Sequence, residues 1–290
     1  MTAIRSLMGG LVDYAGLFPP AGLAMPAAVR AYREYLAGDD AWALGKFVVP
    51  ASRLKEFSAS FNEVCCGERE PVWGLSVLLS DDLTGDAMAM EAVTQGAMSL
   101  DSVDVKAKSA ADAERILRDF APGVDIFVEF DPRLAREMLP VLARFAARAK
   151  IRTGGVTAEA FPTVETVADF LAACAREKVA FKATAGLHHA VRGAYRLTYE
   201  AASARAAMHG FVNVFLAAVL AWRGEGMKAL METLNVSDAA AFAFDEDAVR
   251  WPGFETGVDE IEAVRREFAM SYGSCSFTEP LEEVKEHGWL

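Results

Sequence analysis

Two short segments each carry a lysine on an apolar stretch that runs into small residues and then a loop. Lys150 begins the segment K-I-R-T-G-G, and Lys182 stands second in F-K-A-T-A-G-L-H-H. An ammonium on a buried strand is costly without a partner or a task, and burial lowers its pKa. The lysines are thirty-two residues apart, about one strand-plus-helix repeat, so neighbouring parallel strands would hold them side by side. The pairing predicts amine catalysis.

Composition limits the classes of protein to consider. The chain has 290 residues, of which 53% are hydrophobic and 24% charged, which is a globular composition. A net charge of −12 argues against a nucleic-acid or anionic-membrane partner, because phosphate surfaces require clustered Lys and Arg. A small anionic substrate stays compatible with this charge, since local cations in a pocket can reverse the sign of the overall field.

The cysteines and the apolar runs point to a reducing compartment. Cys65, Cys66, Cys174 and Cys275 form no CxxC pair and have no neighbouring His at ligand spacing, so neither disulfides nor a zinc site is expected. No run is long enough for a membrane helix, and the first twelve residues do not resemble a signal peptide. We expect a cytoplasmic protein without a metal or cofactor.

Alternating apolar runs and helical stretches predict a single (β/α)8 TIM barrel over residues 1–290. The predicted strands are 10–13, 46–50, 72–79, 102–106, 124–130, 149–153 and 180–184, and the predicted helices are 25–37, 52–65, 86–95, 110–120, 132–148 and 163–177. An enlarged helical connection at about 190–262 is expected between strands seven and eight, with helices near 199–222 and 227–234 and an irregular piece from 242 to 253. The eighth strand is expected at 270–277, followed by a helix at 279–287; a strand near 210–217 is the alternative.

Polar residues gather at the predicted carboxyl ends of these strands, where barrel enzymes carry their reacting groups. They are Asp13, Asp104, Lys106, Glu129, Lys150, Arg152, Lys182 and Thr184. Because side chains two apart on a strand share a face, at least four cations and three carboxylates converge if those faces point inward. The structural alternative is a buried ion-pair network, but so many buried charges would contribute little net stability.

Schiff-base chemistry is the functional interpretation of this cluster. A lysine becomes nucleophilic at neutral pH when burial and a neighbouring cation lower its pKa, and a second lysine supplies that cation. A carboxylate then relays protons through carbinolamine formation and C–C bond cleavage.

The strand motifs, in order, resemble those of the deoxyribose-phosphate aldolases, class I aldolases with a (β/α)8 fold. V-D-Y-A-G-L-F-P at 12–19 resembles the family's I-D-H-T-x-L-x-P, F-V-V-P at 47–50 resembles V-C-V-x-P, and D-S-V-D-V-K at 101–106 resembles D-E-V-D-V-V. Val128 and Glu129 compare with the end of the family's fifth strand, an E-T pair. K-I-R-T-G at 150–154 resembles the Schiff-base strand K-T-S-T-G, and F-K-A-T-A-G at 181–186 resembles V-K-A-S-G-G.

The resemblance assigns roles to individual residues. It implies that Lys150 forms the imine, that Lys182 lowers the pKa of Lys150, and that Asp104 is the proton-relay acid. The family's phosphate-binding Gly/Ser loop corresponds to G-S-C-S at 273–276, which includes Gly273 and Ser274; a plain turn is the alternative. The chain departs from the family at Arg152, at Tyr14, which replaces a His, and in the enlarged connection.

The remaining candidates complete the predicted site. The predicted substrate-binding residues are Asp13, Lys106, Arg152, Thr153, Thr184, His188, Gly273 and Ser274, and Arg192 is a further candidate for binding the substrate's anion. His188 and His189 point to opposite sides if extended, so at most one enters the site. Cys275 is either a nucleophile or an unreactive buried thiol. A metal site from His188, Glu129 and Asp131 is the competing chemistry.

The sequence thus predicts a class I aldolase or related lyase that acts through an imine at Lys150 on a small anionic carbonyl compound. A metal-independent isomerase or hydrolase that uses Glu129 and His188 is the alternative enzyme. A non-catalytic barrel that binds a metabolite is the third hypothesis. The substrate, the reaction direction and homo-oligomer formation are left open.

Overall fold

A computed structural model describes residues 2–65, 71–93, 98–120 and 123–290. Cys66 and Gln95, the end of a predicted helix, lie outside these residues.

Eight parallel strands close into a barrel in the order β1-β13-β7-β6-β5-β4-β3-β2. They are β1 (Val12–Tyr14), β2 (Leu44–Pro50), β3 (Trp73–Leu78), β4 (Met98–Lys106), β5 (Asp125–Glu129), β6 (Arg148–Arg152), β7 (Phe181–Thr184) and β13 (Ala269–Ser274). The predicted (β/α)8 fold is confirmed.

Eleven α-helices lie within the described residues, and most of them follow a barrel strand. They are α1 (Ala3–Met8), α2 (Met25–Ala37), α3 (Leu54–Val64), α4 (Leu83–Val93), α5 (Ala110–Asp119), α6 (Ala135–Arg144), α7 (Val164–Glu177), α8 (Phe211–Arg223), α9 (Met227–Asn235), α10 (Val258–Glu267) and α11 (Thr278–Glu286). Hydroxyl side chains cap the starts of α5 and α7: Ser109 accepts from the Asp112 N–H, and Thr163 accepts from the Thr166 N–H. None of the described helices has the length and apolarity to span a membrane.

The connection between β7 and β13 contains more strand than the sequence predicted. It adds β8 (Gly193–Arg196), β9 (Arg205–Met208), β10 (Ala243–Phe244), β11 (Ala248–Trp251) and β12 (Phe254–Gly257) to three helices. The helix predicted near 199–222 begins only at Phe211, because β8 and β9 pair as an antiparallel hairpin. The piece predicted to be irregular at 242–253 folds as a sheet, in which Asp245 accepts from the Asp247 and Ala248 N–H groups at the turn.

The eighth barrel strand lies at Ala269–Ser274, close to the predicted 270–277, and the alternative near 210–217 is wrong. Residues 211–221 are all buried, and they form α8. A run this long that is apolar on every side suits a buried helix better than a barrel strand.

An aromatic cluster fills the space between β1–β3 and helices α2 and α3. Tyr32 packs against Trp73 with ring centroids 4.8 Å apart and ring planes tilted by 59°, and Phe47 packs 5.4 Å from Tyr32 and 5.0 Å from Phe57. All four side chains are buried. Burial of large aromatic surfaces on this side of the barrel holds the first three strands against their helices.

Strand register sets the predicted site residues on two levels of the barrel. Lys106, Glu129, Lys150 and Lys182 are successive partners across β4, β5, β6 and β7. Arg152, Thr184, Gly273 and Asp13 are successive partners across β6, β7, β13 and β1. The stagger of a closed barrel therefore brings residues distant in the sequence to one mouth.

Two glycines allow the chain to leave β6 and β7 side by side. Gly186 has a φ of +77°, and a Cβ there would come within 2.7 Å of the Gly154 Cα and 3.0 Å of the Thr153 carbonyl oxygen. Only glycine accommodates both the positive φ and the close backbone approach without strain. The loops that follow the two lysine strands depend on this contact.

We predict that Gly186→Ala lowers the free energy of unfolding more than Gly224→Ala, by at least about 1 kcal/mol. Gly224 is the matched control, because its φ is +84° and a Cβ there meets nothing within 4 Å. Both variants pay the backbone strain, but only Gly186→Ala also forces neighbouring backbone apart. Urea unfolding of both variants measures the difference, and equal losses would contradict the close-approach explanation.

Candidate active site

A cavity of about 390 Å³ opens at the carboxyl ends of the barrel strands. Ten of the predicted site residues line it: Asp13, Asp104, Lys106, Glu129, Lys150, Arg152, Lys182, Thr184, His188 and Gly273. Phe18, Pro19 and Pro20, from the loop after β1, form part of its wall. The cavity occupies the position where barrels of this class carry their reacting groups.

One carboxylate lies between the two lysines at the centre of this cavity. Asp104 Oδ2 is 2.9 Å from Lys150 Nζ, and Asp104 Oδ1 is 2.6 Å from Lys182 Nζ. The side chains of all three are at most 5% exposed. Because each amine binds a different oxygen of the same carboxylate, the amines are close enough to perturb one another and to exchange a proton through Asp104.

Glu129 adds a second carboxylate on one side of the pair. Its Oε2 is 3.0 Å from Lys150 Nζ, and its Oε1 is 3.4 Å from Arg152 Nε. Arg152 also donates to the Gly154 carbonyl, and its side chain is 49% exposed. Lys150 is therefore held by two carboxylates, whereas Arg152 lies at the rim.

The surroundings of Lys182 include two residues that sequence reasoning missed. Its ammonium donates to Ser76 Oγ at 2.9 Å and lies 4.5 Å from the centre of the Phe127 ring. Ser76 is fully buried in β3 between apolar neighbours. A buried serine within an otherwise apolar strand was the signal available in the sequence. These contacts leave Lys182 with one charged partner, against two for Lys150.

This difference in partners separates the pKa values of the two lysines. Burial favours the neutral form of both. At Lys150 the charges of Asp104 and then Glu129 outweigh burial, so its pKa is raised. At Lys182 burial dominates, Asp104 opposes it only in part, and the Lys150 charge adds to it, so its pKa is lowered. The sequence interpretation, in which Lys182 lowers the pKa of Lys150, thus meets an opposing effect from two carboxylates.

Both carboxylates of the network stay ionised in spite of burial. Burial alone would raise the pKa of Asp104, but Lys150 and Lys182 lower it below its ordinary value of 3.8. The pKa of Glu129 is likewise lowered, because Lys150 and then Arg152 outweigh the effect of its burial. Each carboxylate is thus a proton-transfer partner held in its basic form.

The other predicted binding residues divide into those that reach the cavity and those that do not. Asp13 lines it, but its two oxygens accept from the Lys46 N–H at 2.9 Å and the Ser271 hydroxyl at 2.7 Å. Thr153 is fully buried and donates to the Ala185 carbonyl at 2.6 Å, so it ties β6 to the loop after β7 instead of facing the cavity.

The predicted anion loop at 273–276 uses its hydroxyls internally. Ser274 Oγ accepts from the Ser276 N–H at 3.3 Å, and Ser276 Oγ accepts from the Glu279 N–H at 3.3 Å, at the start of α11. Ser274 also contacts His188 Nδ1 at 3.3 Å. Two backbone donors of the loop are therefore already paired, and Gly273 and Cys275 are its cavity-lining members.

The paired histidines point to different places, as the sequence predicted. His188 lines the lysine cavity, and burial, with the charge of His189 second, lowers its pKa to about 4. His189 instead contacts Glu283 and stacks on Tyr195. Cys275 Sγ lies 3.9 Å from His188 Nδ1, and burial raises the pKa of this thiol, which opposes a role as thiolate nucleophile.

The competing metal site does not assemble. Asp131, one of its three expected ligands, is bound by Arg133 outside the cavity. Across residues 2–65, 71–93, 98–120 and 123–290, no three His, Cys, Asp or Glu side chains are grouped to hold a metal ion.

Tyr14, which stands where the resembled family has a His, does not line the cavity. Its ring packs 5.4 Å from Tyr35 and 5.9 Å from Phe47, and its side chain is buried. Arg192 also lies elsewhere, in a separate cavity beside Glu165. Neither residue belongs to the lysine site.

Fold and site together define a (β/α)8 barrel with a buried lysine pair at the mouth formed by the carboxyl ends of its strands. No protein-family model and no curated protein sequence matches the chain. Among solved structures, the chain is similar to deoxyribose phosphate aldolase from Aeropyrum pernix, whose structure is described as tetrameric. The TM-score is 0.45 and the identity 13%, over 65% of this chain and 85% of that one. This remote similarity is to the same family that the strand motifs resemble.

We predict that Asp104→Asn lowers the free energy of unfolding at pH 7 by about 3–5 kcal/mol, because two buried ammoniums lose their shared counter-ion. The pKa of Asp104 is lowered in the folded state, so its contribution is complete above the ordinary value of 3.8 and is lost as pH falls through the folded pKa. Unfolding measured between pH 2 and 7 should therefore show a weaker acid dependence in the variant. Asp131→Asn, on an exposed ion pair, is the control and should change little; equal losses in both would contradict the prediction.

Proposed function

We propose that this protein is a class I aldolase or related lyase that forms an imine between Lys150 and a small anionic carbonyl compound. The observation that carries the proposal is the sharing of Asp104 by two buried amines in an open cavity. Imine formation requires a neutral amine, a proton acceptor beside it and space for a carbonyl carbon. The cavity supplies the proton acceptors and the space, and a neutral Lys150 requires a proton transfer within the pair.

The choice of Lys150 rests on its acid-base partners. Asp104 and Glu129 both contact its Nζ, so two proton acceptors lie beside the nitrogen that loses and gains protons during imine formation. Lys182 contacts one carboxylate and a serine hydroxyl. Lys150 is better equipped to turn a carbinolamine into an imine, which requires the loss of water.

Lys182 serves as the acceptor that makes Lys150 neutral. Because the pKa of Lys182 is lowered and that of Lys150 is raised, Lys182 is the first of the two amines to lose its proton, which leaves one proton on Lys150. Transfer of that proton to Asp104, and from Asp104 to Lys182, leaves Lys150 as a free amine. The charge inside the cavity does not change during this transfer, so no ion has to be newly desolvated.

The chemical steps then balance without a further reactant. The Lys150 amine adds to the carbonyl carbon, a carboxylic acid protonates the departing hydroxyl, and water and an iminium remain. In the cleavage direction a carboxylate takes the proton of the substrate's β-hydroxyl, the C–C bond breaks, and its electrons enter the iminium to form an enamine. Protonation and hydrolysis of the enamine release the second product and return Lys150.

Two cations at the rim of the cavity attract an anionic substrate. Lys106 and Arg152 both line it and both have exposed side chains. Arg152 keeps Glu129 as a partner, which leaves part of its guanidinium for a carboxylate or phosphate.

The alternative acid-base pair of Glu129 and His188 has less support. The lowered pKa of Glu129 makes it a weaker base than an ordinary glutamate, and two cations already occupy it. His188, with a pKa lowered to about 4, is a neutral ring at physiological pH and a weak base. The pKa of neither group lies near neutral pH, where acid-base catalysis is most efficient.

We predict that borohydride reduction in the presence of small aldehydes and ketones attaches a stable adduct to Lys150. Peptide mass analysis locates the adduct, and Lys150→Arg should abolish it while keeping the charge. Lys108→Arg, at an exposed lysine that does not line the cavity, is the matched control and should label like the native protein. An adduct on Lys182 would reverse the two roles, and the absence of any adduct across the panel would overturn the proposal.

We also predict that Lys182→Met slows adduct formation at neutral pH by about 100-fold and moves its optimum to higher pH. The variant removes the amine that accepts the proton of Lys150, and in its protonated form that amine is also a cation that lowers the pKa of Lys150. Rates of single-turnover trapping between pH 6 and 10 measure both effects. Lys106→Met, which removes a rim lysine of the same cavity, should weaken substrate binding without moving the pH profile; an alkaline shift in both variants would contradict the role of Lys182.

A further inference from the structure

A second cavity of about 390 Å³ adjoins the lysine cavity. Pro20, Gly155 and His188 line both. The second cavity is built mainly by the hairpin of β8 and β9, which belongs to the enlarged connection. A molecule bound at the lysines therefore has a neighbouring space into which it can extend.

The hairpin is fixed to the barrel mouth by an aromatic and hydrogen-bonded anchor. The ring of Tyr195 in β8 stacks on His189, with centroids 3.4 Å apart, and its hydroxyl donates to the Val191 carbonyl at 2.9 Å. Glu283 of α11 binds His189 and accepts from the Ala190 N–H at 2.6 Å. This anchoring gives the side chains of the hairpin a defined position beside the cavity.

Two arginines of the hairpin line the second cavity without a carboxylate partner. Arg196 and Arg205 are directly opposite each other in the β8–β9 pairing. Like charges opposite each other across two strands are unfavourable, and a counter-ion between them removes the penalty. In the part of the chain that the structure describes, neither makes an ion pair, and Arg205 donates to the Ala194 carbonyl within the hairpin.

The remaining wall of this cavity does not neutralise the two cations. Its carboxyl group is Glu279, one acid against two arginines, and burial raises the pKa of this group. Phe161, Leu197 and Met208 contribute apolar surface. The cavity therefore combines a net positive charge with an apolar wall, which suits a chain that ends in an anion.

We infer that the substrate spans both cavities, with its carbonyl carbon at the lysines, an apolar segment past His188, and a terminal anionic group bound by Arg196 and Arg205. This inference rests on the proposed imine chemistry for the position of the carbonyl end. The arginine pair recognises either a carboxylate or a phosphate, since both present two oxygens to a guanidinium. The substrate class is an oxo acid, or oxoalkyl phosphate, that is longer than the lysine cavity alone accepts.

The test compares anionic and uncharged carbonyl compounds of the same length. In the native protein, half-saturation of borohydride labelling should fall from the semialdehyde of succinate to that of suberate, and ω-oxoalkyl phosphates of the same lengths identify the preferred anion. The double variant R196Q/R205Q should raise half-saturation for the long anionic compound by at least about tenfold, while octanal labels as before. R196K/R205K should restore part of the loss. R266Q, at an exposed arginine outside both cavities, is the matched control.

A second measurement separates this inference from the imine proposal. Suberate has no carbonyl group that can form an imine, and calorimetric titration should show that it binds the native protein more tightly than R196Q/R205Q. If no carbonyl compound labels a lysine, the imine proposal fails and the titration alone decides whether the arginines bind an anion. If labelling occurs but R196Q/R205Q treats suberate semialdehyde and octanal alike, the inference fails and the imine proposal stands.

Discussion

The carboxylate of Asp104, shared by two buried ammonium groups, is the interaction on which the rest of the site depends. Without it, Lys150 and Lys182 would face each other as like charges in a region from which water is nearly excluded. Ion pairs this deep return little net stability, because the desolvation of each charge offsets most of the attraction. A barrel that needed only a core would be served as well by apolar residues here. The network is therefore best understood as a means of holding protons near a cavity.

The barrel makes this arrangement by geometry that no local segment contains. Lys150 and Lys182 are register partners on β6 and β7, while Asp104 comes from β4, with β5 between. The close packing of Gly154 and Gly186 lets both loops leave the barrel beside each other, so the amines stay adjacent while the mouth stays open. The glycines determine where the strands can end, and the strands in turn determine which charges meet.

The sequence could predict whatever follows from period and order along the chain. Alternating strands and helices gave the barrel, and polar residues at strand ends gave Asp104, Glu129 and both lysines. Ser76 escaped prediction because its contact with Lys182 joins residues 106 positions apart. The β8–β9 hairpin escaped because its strands are short and its stability comes from packing on His189, which no pattern within 193–208 reveals. Thr153 was assigned to the site, but a hydroxyl near a strand end is also useful for tying neighbouring strands together, as it does here.

Arg152 is the residue that fits the resembled family least, and the electrostatics of the site give it a function. Glu129 contacts Lys150 through one oxygen and Arg152 through the other, so the two cations compete for its charge. A glutamate bound to Lys150 alone would hold the amine more firmly in its protonated form, which opposes nucleophilic attack. Because Arg152 takes part of that charge at the exposed rim, it eases the loss of a proton from Lys150. A cation two residues from the nucleophile is thus compatible with imine chemistry, because it acts on the carboxylate between them.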